Sequence, residues 1–112
     1  MPVRIILTRE RVTAFLDGEI DHHTAADIRS EIDAAIQQCK PNLLKLDFSD
    51  VTFMDSSGVG LIMGRYRAVQ YFGGKVIVTG LSPQIYKVMK LAGLEKIAKI
   101  TKKEDVDSAD IK

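Results

Sequence analysis

The chain has 112 residues, 46% hydrophobic and 28% charged, with 16 basic and 15 acidic side chains and a formal net charge of +1. That size predicts one domain over 1–112 burying about 60–70% of its unfolded surface, and the interspersed charge argues against a nucleic-acid footprint. A lone cysteine, Cys39, excludes an internal disulfide and a cysteine-based zinc site, and neither a signal-peptide pattern nor a membrane-length apolar run is visible, so the expected location is cytoplasmic with no membrane contact.

From Val3 to Thr8 the sequence is apolar-rich, Arg9-Glu10-Arg11 is a polar break, and Val12, Ala14 and Leu16 then alternate with Thr13, Phe15 and Asp17. Two such runs predict a β-hairpin whose second strand ends at Asp17-Gly18. Gly18 to His23 reads as a loop, and Thr24 with Asp27 has capping-box spacing for the start of a helix. Ala25, Ile28, Ile32 and Ala35 or Ile36 give that helix one apolar stripe. Cys39 falls near its end, where a buried or half-buried thiol is expected, before Pro41-Asn42 closes the connection. Leu43, Leu44, Leu46 and Phe48 predict a strand whose near-continuous apolar character suits cover on both faces. Ser49 to Met54 reads as a loop.

The stretch Phe53-Met54-Asp55-Ser56-Ser57-Gly58-Val59-Gly60 then meets a helical pattern from Val59 to Tyr71. A helix start has backbone N–H groups without internal partners, which Asp and Ser oxygens accept, so Asp55, Ser56 and Ser57 read as a cap. A hydroxyl here is also a phosphate carrier favoured by the helix dipole, and a phosphate would add about −1.5 to −2 charges beside Asp55. The two roles are compatible. Val59, Ile62, Tyr66 and Val69 make the helix stripe, widened by Leu61 and Met63. Gly58, Gly60 and Gly64 each cost about 1 kcal/mol against alanine, which implies close backbone approach or a conformational need.

Gly73-Gly74 ends that helix, and Lys75 to Thr79 carries a short strand. Ser82-Pro83 opens the next helix, with Ile85, Val88, Met89 and Ala92 as its stripe. Gly93 fits a left-handed C-cap, with Leu94 folding back on Met89. Ile97 to Ile100 reads as a last edge strand, Thr101 as the cap of a short helix through Glu104 and Val106, and fraying is expected beyond Asp107. Alternating helices and strands predict an α/β fold on a mostly parallel sheet.

Other chemistries fit less well. Sequential His22 and His23 do not converge on one ion, so no metal site is assigned. Gly58, Gly60 and Gly64 echo a dinucleotide fingerprint, but the third glycine comes one place late and the next strand lacks the ribose-binding acid. Asp55-Ser56-Ser57-Gly58 lacks the glycine that a nucleophile elbow places two residues before its serine. A phosphorylated receiver using Asp55 would need an acidic cluster after the first strand, where Leu7-Thr8-Arg9 stands.

The motif from Phe53 to Gly60, followed by Gly64-Arg65-Tyr66, resembles the phosphoacceptor motif of the anti-sigma factor antagonists; Gly18-Glu19-Ile20-Asp21-His22-His23-Thr24-Ala25 resembles that family's second signature, in its sporulation-type form. The resemblance covers nearly the whole chain. It implies a single STAS-type domain, a small mixed sheet with helices mainly on one face, and a binding module without catalysis or cofactor. It further implies that the unphosphorylated form binds an anti-sigma factor that is also a serine kinase carrying ATP or ADP, releasing a sigma factor. That kinase phosphorylates Ser57, binding is lost, and a serine phosphatase restores it. Asp21, His22 and Thr24 are then expected at the partner surface with Asp55, Ser56 and Gly58, although Asp21 serves equally well as a helix cap. Two alternatives share the motif or part of it: a STAS module of a general-stress or scaffold pathway, and a nucleotide-dependent enzyme.

Overall fold

The computed structural model describes residues 3–103. Strand β1 (Val3–Leu7) pairs antiparallel with β2 (Arg11–Ile20), Val3 opposite Leu16 and Leu7 opposite Val12, as the alternation predicts. The tight link is closed by the Thr8 amide donating to the Arg11 carbonyl at 2.9 Å.

Two expected loops are strand. β2 continues through Asp17-Gly18 to Ile20, and β3 runs the full length of Leu43–Met54. Asp17, Gly18, Glu19 and Ile20 pair in parallel with Asp50, Val51, Phe53 and Met54, across two register shifts. Each segment satisfies the other's backbone hydrogen bonds, which local propensity cannot foresee. Gly18 sits in the left-handed region at φ 80°, a conformation that costs glycine little, so a turn residue here serves an irregular strand.

The sheet order is β1-β2-β3-β4-β5, where β4 is Lys75–Leu81 and β5 is Lys99–Lys102; every pair after the hairpin is parallel. Register aligns Val12, Leu44 and Val76 in one row and Ala14, Leu46 and Val78 in the next, and all six are buried. The alternate residues Thr13, Lys45 and Ile77, with Phe15, Asp47 and Thr79, are only half-buried. The expectation of cover on both faces of β3 is thus corrected: one face is covered, and Leu43 belongs to the open side.

Helix α1 (His22–Cys39) packs over β1 and β2, and α2 (Ser56–Gln70) over β3 and β4. Ile28, Ile32, Ala35 and Ile36 form the buried stripe of α1, while Ala25 is half-buried. On α2 the buried set is Gly58, Leu61, Ile62, Arg65 and Val69; Val59 and Tyr66 only reach the core's margin. Truncating a fully buried isoleucine of this kind costs about 2–5 kcal/mol.

Ser82 caps α3 (Pro83–Leu91), its Oγ accepting the Ile85 amide at 3.2 Å. Ile85 and Met89 are buried, but Val88 and Ala92 are exposed, so the stripe is narrower than expected. Gly93 takes the left-handed conformation (φ 80°) and delivers Leu94 into the core. Thr101 lies in β5; the helix it was expected to cap, through Glu104 and Val106, and the fraying beyond Asp107 fall outside the described residues.

Candidate functional site

The extension of β2 and β3 brings the two sequence motifs together. Ile20 and Met54 are register partners at the strand ends, and the Asp55 amide donates to the Ile20 carbonyl at 3.1 Å. Parallel strands that end side by side start their following helices side by side, so the first turns of α1 and α2 are neighbours.

Asp21 caps α1. Its Oδ1 accepts the amides of His23 (2.9 Å) and Thr24 (3.0 Å), and Thr24 Oγ1 accepts the Asp21 amide at 2.9 Å. This reciprocal box replaces the expected Thr24–Asp27 pair and places Thr24 inside the first turn. The Thr24 hydroxyl also donates to the Glu19 carbonyl at 2.9 Å, tying the helix start to β2. The Thr24 amide bond holds the Asp21 carboxyl below its ordinary value of 3.8; desolvation, the next influence in size, opposes it, and the His23 amide and Thr24 hydroxyl add to the lowering.

Asp55 caps α2 in the same way, its Oδ1 accepting the Ser57 amide at 2.8 Å. Ser56 and Ser57 are therefore the first two helical residues and not members of the cap. Ser56 is exposed and Ser57 half-buried. Gly58 is buried, and a Cβ there would collide with Cγ and Sδ of Met54, so the close approach expected for the glycines is real at this position. It leaves little of Gly58 for a partner to touch. Gly60 and Gly64 have no atom within 4 Å of an added Cβ, so packing does not explain them.

These two glycines line a groove of about 470 Å³ between α1 and α2, into whose walls His22, Arg29, Ser57 and Arg65 also enter. Arg65 is 7% exposed, and its Nε stands 2.9 Å from Asp33 Oδ1 on α1. The contact is an ion pair without hydrogen-bond alignment, since Nε and Nη1 find no acceptor among the described residues. Burial lowers the Arg65 pKa, Asp33 opposes that shift, and the neighbouring Arg29 adds to it.

Sequence reasoning missed three features. Arg29 and Arg65 follow His22 and Ser57 by seven and eight residues, the spacing of one helix face, so helical periodicity applied to charges would have found the groove. Phe53, beside the motif, is 51% exposed: the β3 alternation breaks after Phe48, and Thr52 and Phe53 both lie on the open side. The third is Asp33, the carboxylate on α1 that Arg65 meets.

Among the described residues no three His, Cys, Asp or Glu side chains gather as metal ligands. His22 and His23 stack on one another with ring centroids 4.1 Å apart. No described helix is long and apolar enough to cross a membrane.

Comparison with known proteins places these features in a family. The STAS domain model matches residues 6–109. An anti-sigma F factor antagonist of Lysinibacillus sphaericus is 42% identical over 89 residues, covering 80% of this chain and 76% of that protein. One from Paenibacillus polymyxa is 39% identical over 85 residues, covering 76% and 73%. The solved anti-sigma factor antagonist SpoIIAA is 35% identical over 96% of this chain, with a TM-score of 0.78 in its unphosphorylated form (94% of that chain). The phosphorylated form of the Bacillus protein gives 0.71 (97% of that chain).

Proposed function

Because this chain belongs to the STAS-domain family of anti-sigma factor antagonists, whose members are binding proteins and not enzymes, we propose that it is a partner switch controlled by phosphorylation of Ser57. In the unphosphorylated state it binds an anti-sigma factor that is also a serine kinase, and the sigma factor held by that kinase is released. The kinase transfers the γ-phosphoryl group of its ATP to Ser57 Oγ. One O–P bond forms, the bond between the β- and γ-phosphates breaks, and ADP and the hydroxyl proton leave. A serine phosphatase hydrolyses the ester and resets the switch.

The observation that carries this reading is the position of Ser57. It stands in the first turn of α2, beside the start of α1, where the two family motifs meet. A related protein that is 35% identical exists in both phosphorylated and unphosphorylated forms, which supports a modification of the same kind here. Asp21, His22, Thr24, Asp55 and Ser56 surround this corner and form the proposed contact surface. Gly58 contributes by shaping the turn.

The physical basis of the switch is local. A phosphate beside Asp55 sets two anionic groups against a kinase site that itself holds nucleotide phosphates, and like charges across an interface cost several kcal/mol. A loss of about 2.8 kcal/mol is a hundredfold in affinity, and no refolding of the domain is needed. We further assign the whole chain, 1–112, to one domain acting in the cytoplasm, without direct contact to nucleic acid or membrane. The identity of 39–42% to anti-sigma F factor antagonists favours the sporulation type of pathway over a general-stress or scaffold role.

Titrating the anti-sigma kinase with unmodified and Ser57-phosphorylated protein tests the proposal. A hundredfold weaker Kd for the modified form is expected; equal affinities would contradict the switch.

A further inference from the structure

We propose that the groove between α1 and α2 is a built-in receptor for the phosphate on Ser57, with Arg29 as the arm that engages it. The inference rests on the Ser57 reading but concerns a different question: where the added charge goes.

Five observations converge on it. The groove is held open by Gly60 and Gly64, two helical glycines that no neighbouring atom requires, since nothing lies within 4 Å of an added Cβ at either. Each glycine costs about 1 kcal/mol of helix stability, so the open space is retained at a cost. Arg65, in the groove wall, has a side chain 9% exposed, and its Nη1 has no hydrogen-bond acceptor among the described residues. Arg29 is exposed and makes no ion pair among the described residues, while it disfavours the charge on Arg65. Asp33 is the one carboxylate paired with these cations among the described residues, so the groove carries an excess of positive charge. Ser57 stands at the end where the N-terminus of α2 faces the same space.

Helical side chains lean toward the N-terminus of their own helix. Arg29, two turns into α1, therefore leans back along the groove toward the level of Ser57, while the Arg65 guanidinium is held against Asp33. A phosphate on Ser57 Oγ meets helix-terminal N–H dipoles from one side and an exposed guanidinium from the other, and arginine–phosphate pairs are among the stronger charge-assisted contacts. His22 borders the same end of the groove. Phosphorylation then does two things at once: it adds negative charge, and it occupies Arg29, withdrawing a cation from the partner surface.

The test uses protein with phosphoserine installed at position 57 during translation, so its outcome does not depend on any kinase. The second ionisation of the phosphate, ordinarily near pH ~6, is followed by phosphorus NMR in wild type, Arg29→Gln, and Arg67→Gln, which removes the same charge from an exposed position of α2 that does not line the groove. The midpoint is expected to rise by about one unit in Arg29→Gln and to stay within a few tenths of wild type in Arg67→Gln. An unchanged midpoint in Arg29→Gln, or equal shifts in both variants, would overturn the groove as receptor. Failure of the anti-sigma kinase to modify Ser57 would instead overturn the switch and leave this result standing.

Discussion

Asp55 Oδ1 accepts the amide of Ser57 at 2.8 Å, so the residue proposed to carry the phosphate is fastened to the carboxylate that begins its helix. One hydrogen bond thus sets both the helix start and the distance between the two charges that phosphorylation would juxtapose. Replacing Asp55 with alanine removes the cap and is expected to cost about 1 kcal/mol, whereas asparagine keeps an acceptor and costs only a few tenths, roughly. Urea denaturation of the two variants distinguishes them; equal stability would mean that the cap contributes nothing.

Asp21 makes stability depend on acid. Its folded pKa lies below the ordinary 3.8, so its contribution is fully present above that value and is lost as pH falls through the folded pKa. Asp21→Asn retains a capping oxygen but cannot titrate. The Tm difference between wild type and Asp21→Asn should be constant at neutral pH and move against wild type below pH 3.8. A difference that stays flat down to pH ~2 would contradict the hydrogen-bonded carboxylate.

Alanine substitution should separate the glycines by sign. Gly58→Ala drives a Cβ into Met54 and is expected to destabilise by about 1–3 kcal/mol. Gly60→Ala meets open space within the helix and is expected to stabilise by about 0.5–1 kcal/mol. Thermal unfolding of both variants reads this directly, and a shift of the same sign in both would overturn the distinction.

Phe53 offers the partner a large exposed aromatic surface beside the motif. If the anti-sigma kinase docks at this corner, Phe53→Ala should weaken the complex by about 2 kcal/mol, the scale of an aromatic hot spot, and leave Tm nearly unchanged. Wild-type affinity in calorimetric titration would place the interface elsewhere.

Much of the architecture was legible because periodicity reports burial. The hairpin, the three helices, the one-sided stripe of α1 and the Ser82-Pro83 start all follow from local pattern. What escaped depends on distant partners. Gly18 to Ile20 and Ser49 to Met54 look like loops until each is seen to be the other's strand partner. Arg65 stands in the motif with no partner in view until Asp33 on another helix is found beside it. The Asp21–Thr24 box was hidden by a reading that began the helix too late. Within the site, the motif spacing located both helix starts, but only the register of β2 against β3 shows that they are adjacent.

The most direct test of the switch is the intact mass of the protein after incubation with the anti-sigma kinase and ATP, for wild type and Ser57→Ala. The expected result is the gain of one phosphate by wild type and none by the variant. A phosphate gained by both would move the site to exposed Ser56 or elsewhere, and no gain by wild type would contradict a phosphorylation switch at Ser57.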